Sequence, residues 1–223
     1  MFVGGIAALL GIVLLNHLLK KKNRDLFDGK VTFVFALLAL GYSCFALAEL
    51  SWYLLFELFN QTPMVSMPDF YWVLGSVSLL LAFVSFSIYM HKRHGEVSKS
   101  WTLLTFGVIL VGIVLYYVLG IDFSQETFGK AFLGYFYPLV SSLIVVASLS
   151  VYLFLEKISV FRSNLFLFFL ANIAFLAGDL LYIDYGVSGV FGLGGVVSEL
   201  SYIVAYGLCA FSFLDFLFKT QRD

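Results

Sequence analysis

Residues 31–58 read VTFVFALLALGYSCFALAELSWYLLFEL, a run in which Glu49 and Glu57 are the charged residues. At about 1.5 Å of rise per residue, a helix of this length crosses the roughly 30 Å hydrocarbon core of a bilayer. A charged side chain deep in a membrane helix costs roughly 2.5–3.5 kcal/mol even on lenient insertion scales, so such residues are rare and usually functional. The segment therefore predicts a membrane helix that carries a functional acid, Glu49.

The rest of the chain has the same apolar character. Its 223 residues are 61% hydrophobic and 12% charged, whereas about a quarter of the residues in soluble domains are charged. Apolar runs occupy residues 2–19, 31–58, 70–90, 101–121, 131–155, 161–185 and 194–218. We therefore predict an all-α polytopic membrane protein with seven transmembrane helices. The first run ends in Lys20-Lys21-Lys22, which favours a retained helix over a cleaved signal.

Basic residues mark one side of the predicted bundle. Of the 13 Lys and Arg residues, Lys130 alone falls on the other side. The others are Lys20, Lys21, Lys22, Arg24 and Lys30 after the first run, Lys92, Arg93 and Lys99 after the third, Lys157 and Arg162 after the fifth, and Lys219 and Arg222 after the seventh. Cytoplasmic loops carry such an excess. We therefore predict an external amino terminus and a cytoplasmic carboxyl terminus, in the plasma membrane.

Two pairs of acids recur at a fixed distance along the chain. Glu49 and Asp69 are about 20 residues apart, as are Asp179 and Glu199, and the second pair follows the first by 130 positions. This recurrence predicts a duplication, with repeat one at 1–95, a linker helix at 100–121 and repeat two at 131–223, all within a single membrane domain, 1–223. A single linker helix returns the second repeat to the same orientation, so the repeats are predicted to be parallel.

The acids and the polar residues at helical spacing around them form the candidate ligand-binding site. All are predicted to lie in the outer third of the membrane and to turn inward, because lipid cannot satisfy polar groups. The set comprises Glu49, Trp52, Tyr53, Asp69, Trp72, Asn172, Asp179, Tyr182, Glu199, Tyr202 and Tyr206. On the second span, Tyr42, Glu49, Tyr53 and Glu57 fall on one helical stripe.

Two of the acids have a structural alternative. Asp69 follows Pro68 at the predicted start of a helix, where a carboxylate offsets unsatisfied amides and the positive end of the helix dipole. Glu199 follows a Gly-rich link and could have the same role. The aromatic residues near them would then form a membrane-interface belt. Capping explains Glu49 and Asp179 poorly.

Other motifs are weaker. His91 and His94 have the spacing of helical metal ligands, with His17 at the same level, but the neighbouring Lys92 and Arg93 favour a basic flank near anionic lipid. No zinc signature or nucleotide-binding motif appears near the acids, so no metal, no cofactor and no nucleic-acid partner is predicted. Cys44 and Cys209 both lie within spans and are read as small apolar residues, with a disulfide as the alternative.

Residues 48–52, Ala-Glu-Leu-Ser-Trp, resemble a pattern in the seven-span sensor regions of prokaryotic signalling proteins, together with Pro63 and residues 66–75, Ser-Met-Pro-Asp-Phe-Tyr-Trp-Val-Leu-Gly. Those regions precede diguanylate cyclase or histidine kinase modules. The resemblance implies a sensor-like module. No effector module lies between the seventh span and Asp223. The resemblance therefore also implies either that the module signals through a cytoplasmic partner or that it has been separated from its effector.

The leading functional hypothesis is a receptor-like or sensor-like protein, not an enzyme, that binds a small or cationic ligand in an outer-facing acidic and aromatic cavity. The first alternative is a small-solute or cation transporter, because two three-helix repeats joined by one helix are also the plan of small sugar carriers. An intramembrane enzyme is the third possibility. Besides its ligand, the predicted partner is the lipid bilayer.

The charge pattern gives a direct test of topology. A reporter fused after Asp223 is expected in the cytoplasm, and one inserted near Gln125 is expected outside. The reason is that loops rich in Lys and Arg stay on the cytoplasmic side of the membrane. Alkaline phosphatase activity, which requires export, measures this. An active carboxyl-terminal fusion would overturn the orientation and, with it, the parallel repeat.

Overall fold

A computed structural model describes residues 2–20, 29–59, 66–94, 97–124, 126–154, 162–188 and 192–222. Within these ranges the chain is helical and contains no strand. The helices are α1 (Phe2–Lys20), α2 (Gly29–Trp52), α3 (Met67–His94), α4 (Val97–Leu119), α5 (Phe128–Phe154), α6 (Arg162–Ser188) and α7 (Leu193–Arg222). A π-helical segment, Tyr53–Leu58, continues α2. Among the residues of the basic flanks, Lys21, Lys22, Arg24 and Lys157 lie outside the described ranges.

All seven helices are long and apolar enough to cross a membrane. The result confirms the predicted all-helical class and the number of long apolar helices. Several helices extend beyond their apolar runs, as α3 does from residues 70–90 to Met67–His94. The physical reason is that backbone hydrogen bonding carries a helix past the point where its side chains become polar.

Six of the helices form a closed ring. Neighbours follow the order α1, α2, α3, α5, α6, α7, and α7 packs back against α1. The helix α4, predicted as a linker, packs mainly against α5 and leaves side chains such as Tyr116 85% exposed. Exchanging α1–α3 for α5–α7 leaves the order of neighbours in the ring unchanged.

Two glycines allow α2 and α3 to pack closely. A Cβ atom on Gly75 would lie 2.5 Å from Phe45 Cδ1 and 2.9 Å from the carbonyl oxygen of Gly41. Small residues let apolar helices approach closely where no hydrophobic effect drives them together. The positions 130 residues later are Ala171 and Ala205, both fully buried, so small residues recur at the matching positions of α6 and α7.

Aromatic rings fill the centre of the ring of helices. The side chains of Tyr42, Phe83, Phe168 and Phe213 are almost completely buried. Phe168 contacts both Phe83 and Phe213 edge to face, with ring centroids 6.0 and 5.1 Å apart, a favoured geometry for aromatic pairs. The Tyr42 hydroxyl is hydrogen-bonded to Cys209 Sγ at 2.8 Å. Cys44 and Cys209 are both free thiols, which agrees with reading them as small buried residues.

A polar network ties the start of α6 to the end of α7. Lys219 Nζ lies 2.6 Å from Asp215 Oδ2, and it also donates to Ser163 Oγ and to Asn164 Oδ1. Asn164 in turn donates from Nδ2 to the carbonyl oxygen of Ser212. The Asp215–Lys219 pair is the i,i+4 contact expected on one helix face, and here it also joins two helices.

The α2–α3 crossing predicts a sharp difference between glycines. Gly75→Ala is expected to lower stability by about 1–3 kcal/mol, because the added methyl overpacks Phe45 and the α2 backbone. Gly112→Ala is the matched control, since no atom lies within 4 Å of a Cβ at that position of α4. Thermal unfolding of the two purified variants in detergent measures the difference. Equal midpoints would contradict the close crossing.

Candidate functional site

A cavity of about 210 Å³ lies between α2, α3, α5, α6 and α7. It occupies the half of the bundle that contains the end of α2 and the start of α3. Its lining consists of Phe45, Glu49, Trp52, Asp69, Trp72, Ser76, Leu79, Tyr137, Ser141, Ile144, Asn172, Phe175, Asp179, Tyr182, Ile183, Glu199, Tyr202 and Tyr206. This volume is below the ~300–1,000 Å³ typical of pockets for drug-sized molecules, so the site suits a small ligand.

The structure gathers ten of the eleven sequence-predicted site residues around this cavity, including all four acids. Tyr53 is not among the lining residues, and its side chain is 41% exposed. The predicted stripe assumed regular α-helix, whereas Tyr53 is the first residue of a π-helical segment, in which the helical spacing changes. Tyr42 lies in the aromatic core, and the Glu57 side chain is outside the described part of the structure.

Sequence reasoning missed the contribution of α5. Tyr137, Ser141 and Ile144 line the cavity from this helix, at spacings of four and three that place them on one face. The missed apolar residues are Phe45, Leu79, Phe175 and Ile183. The spacing of Tyr137 and Ser141 was visible in the sequence. However, α5 carries no acid, and nothing local indicated which of its faces turns inward.

Asp179 is held by hydroxyl groups from two other helices. Its carboxylate accepts hydrogen bonds from Ser141 Oγ on α5 and from Tyr202 OH on α7, the latter at 2.8 Å. Bonds to an ionised acceptor are among the stronger ones in proteins. This carboxylate therefore links three helices of the ring.

Gly178 allows Tyr202 to reach this acid. A Cβ atom at Gly178 would lie 2.8 Å from Tyr202 Cε1, so the tyrosine ring packs directly on the α6 backbone. Next to it, the buried Ser198 hydroxyl donates to the carbonyl oxygen of Gly178 at 2.9 Å. The two contacts fix the start of α7 against α6 and aim the phenol at Asp179.

Glu49 occupies the corresponding position on α2. The Tyr206 hydroxyl lies 3.4 Å from Glu49 Oε1, and Glu199 is close enough to interact with it electrostatically. Phe45 and Phe175, one turn before Glu49 and Asp179, contact each other at 5.7 Å between ring centroids. This contact brings α2 and α6 to the same level beneath the two acids.

Helix capping was an alternative role for two of the acids, and the structure gives a different answer for each of them. Asp69 Oδ2 accepts from the backbone nitrogen of Ser66 at 2.8 Å and from Ser66 Oγ at 3.0 Å. This is the capping-box arrangement, in which the third helical residue reaches back to the residue before the helix. Asp69 therefore caps α3 and also lines the cavity. The capping alternative is wrong for Glu199, because α7 begins at Leu193 and has no acid in its first turn.

Two tryptophans form an aromatic wall near the acids. The Trp52 and Trp72 rings lie 5.6 Å apart at a tilt of 47°. On the other side, Phe175 contacts Tyr202 at 6.3 Å and Tyr206 at 5.1 Å. Faces of aromatic rings attract cations through the ring quadrupole, with tryptophan the most favourable.

Two polar groups of the lining have unused hydrogen-bonding capacity. Among the described residues, neither Asn172 Nδ2 nor Tyr137 OH has a hydrogen-bond partner, although both atoms are buried. Asn172 is 2% exposed. Buried polar atoms are almost always paired, so each such exception needs an explanation. A ligand or a bound water in the cavity would supply one.

The described lining contains four carboxylates and no Lys, Arg or His. The acids are spread around the cavity. The described residues contain no group of three or more His, Cys, Asp or Glu placed to hold a metal ion. Chemically, the site offers negative charge, aromatic faces and an unpaired amide.

No protein-family model, no curated protein and no solved structure matches the chain.

The Asp179 contacts generate a stability prediction. Tyr202→Phe is expected to lower stability by about 1–3 kcal/mol, because it removes a hydroxyl donor from a buried carboxylate and leaves that oxygen unsatisfied. Tyr116→Phe, on the exposed face of α4, is the matched control and should leave the unfolding midpoint unchanged. Thermal unfolding in detergent compares the two. A stable Tyr202→Phe protein would show that this hydrogen bond does not hold the site together.

Proposed function

We propose that this chain is a receptor-like or sensor-like integral membrane protein that binds a small or cationic ligand in the cavity. The observation that carries the proposal is the combination of four carboxylates with the buried, unpaired amide of Asn172 around one small volume. A cation would offset the repulsion between Glu49 and Glu199, which are close enough to interact electrostatically. A polar ligand atom would give Asn172 its missing partner.

The proposed orientation places the cavity toward the outside of the plasma membrane. Described basic residues such as Lys20, Lys92 and Lys219 lie toward the other end of the helices, which supports a cytoplasmic position for that end. The cavity would then receive its ligand from the exterior. The lipid bilayer surrounds the ring, whose outward side chains are predominantly apolar.

Binding is favoured over transport because the bundle is filled below the cavity. The aromatic core around Tyr42, Phe168 and Phe213 is almost completely buried. A transporter would have to open this layer. The order of the helices in the ring fits two parallel repeats and so favours a small-solute or cation transporter as the second candidate. Uptake of labelled solute into proteoliposomes would decide for that alternative.

The resemblance to prokaryotic sensor regions leads us to propose that ligand binding is signalled to the cytoplasmic side. In such a module, ligand binding between α2, α3, α6 and α7 would alter helix packing. The Lys219 network ties α6 to α7 at the opposite end, and it offers a physical link between the cavity and a cytoplasmic signalling partner. Coupling of this kind requires that the ligand bind two helix arrangements with different affinity.

Ligand-dependent stability tests the proposal. The purified protein in nanodiscs is titrated with tetramethylammonium, ethanolamine, sodium and calcium chlorides, and with acetate and phosphate as sodium salts. A binding cation is expected to raise the unfolding midpoint, since a ligand at about 100 times its Kd stabilises by roughly 2.7 kcal/mol. Glu49→Gln is expected to weaken binding about ten-fold or more, because it removes a charged partner.

Asp122→Asn is the matched control for charge. Asp122 is exposed in the link between α4 and α5, away from the cavity lining, so its loss should leave the cation response unchanged. The proposal fails if no cation stabilises the wild type, or if Glu49→Gln and Asp122→Asn respond alike.

A further inference from the structure

We infer that the ligand is a small ammonium compound that also carries a hydrogen-bond acceptor. Its ammonium group would lie against Glu49, Trp52 and Trp72, and its acceptor would receive a hydrogen bond from Asn172. The inference rests on the proposed function and narrows it to a class of compound and a binding orientation.

The aromatic wall selects the ammonium end. Trp52 and Trp72 both line the cavity, with ring centroids 5.6 Å apart, and Trp52 follows Glu49 by about one helical turn. A carboxylate beside two indole rings combines charge pairing with cation–π attraction, the combination by which proteins recognise alkylated ammonium groups. A small metal ion makes no comparable use of the indoles, because it binds through oxygen, nitrogen or sulfur ligands.

Asp179 has a different role, which breaks the symmetry of the site. Its carboxylate already accepts from Ser141 and Tyr202. The positions 130 residues before these donors are Gly11 and Trp72, which carry no hydroxyl group, and Glu49 instead has the Tyr206 hydroxyl at 3.4 Å. The two acids therefore differ: hydroxyl groups of two other helices hold Asp179, whereas Glu49 lines the cavity together with Trp52 and Trp72.

Asn172 fixes the other end of the ligand. The side chain is 2% exposed and lines the cavity, and Nδ2 has no partner among the described residues. An amide N–H requires an acceptor such as a hydroxyl, ether or carbonyl oxygen. A carboxylate on the ligand would accept equally well, but the four acids of the lining would repel it. An uncharged oxygen is thus the complementary group.

The cavity is small, and its two recognition groups lie about two helical turns apart. Asn172 precedes Asp179 by seven residues, or about 10 Å along α6. Glu49 lies near the level of Asp179 because the Phe45 and Phe175 rings meet one turn below the two acids. A compact amino alcohol matches the cavity volume of about 210 Å³.

Three isosteric probes test this orientation by calorimetry in nanodiscs of phosphatidylglycerol. The probes are choline, n-propyltrimethylammonium, which lacks the oxygen, and the neutral carbon isostere of choline, which lacks the charge. Choline is expected to bind about three- to ten-fold more tightly than n-propyltrimethylammonium, the range of one hydrogen bond. The neutral isostere is expected to show no measurable binding.

Asn172→Leu separates recognition from a structural role. The variant should reduce the preference for choline over n-propyltrimethylammonium to about one. Without ligand, its unfolding midpoint should equal or exceed that of the wild type, because a buried unpaired amide is replaced by an apolar group of similar volume. Asn16→Leu, at an exposed position of α1, is the matched control and should keep the wild-type preference.

The possible outcomes separate the two proposals. If neither ammonium probe binds, the proposed function fails for this ligand class and the inference fails with it. If both bind equally, or if Asn172→Leu unfolds more easily without ligand, the inference alone is overturned.

Affinity in discs of phosphatidylethanolamine is expected to match that in phosphatidylglycerol, since the acids repel a phosphodiester. Competition from that lipid would overturn the assignment to a free compound.

Discussion

A carboxylate surrounded by apolar side chains must find donors, counter-charge or water, because its burial otherwise costs several kcal/mol. Four such groups lie on the helices of this chain, and the ring closed by α7 against α1 turns them toward one cavity. Asp69 takes its donors from the start of its own helix, whereas Asp179 takes them from α5 and α7. At Asp179 the need for donors therefore ties α6 to α5 and α7, and these contacts help to form the site.

The two halves of the ring differ in how they satisfy their buried acids. Small residues recur at the α2–α3 and α6–α7 crossings, and Phe45 meets Phe175 between them. Around the acids, however, Asp179 accepts from Ser141 and from Tyr202 at 2.8 Å, whereas the Tyr206 hydroxyl lies at a longer 3.4 Å from Glu49. One acid is thus held by donors from two other helices, and the other lines the cavity together with two indole rings. That division is what the proposed ammonium site exploits.

The contrast between the two ends of the bundle bears on function. The cavity end contains acids, indoles and an unpaired amide, whereas the centre is filled with aromatic rings and the other end is tied by Lys219. A filled centre resists the passage of a solute but transmits a change in helix packing, since close-packed interiors are stiff. This contrast supports the proposal of a sensor over that of a carrier.

The sequence by itself determined the helices and the candidate acids, because both follow from local properties: apolar runs of sufficient length, and charges that are costly within them. It could not determine which face of each helix turns inward. On α2, Phe33 is 57% exposed while Phe35 is 3% exposed, although both belong to the same apolar run. The tertiary structure alone brought α5 to the cavity, left Tyr53 outside its lining, and paired Ser141 and Tyr202 with Asp179. Those outcomes depend on how helices pack against one another. In helices that are apolar on all sides, the pattern of hydrophobicity does not show which face packs against a neighbouring helix.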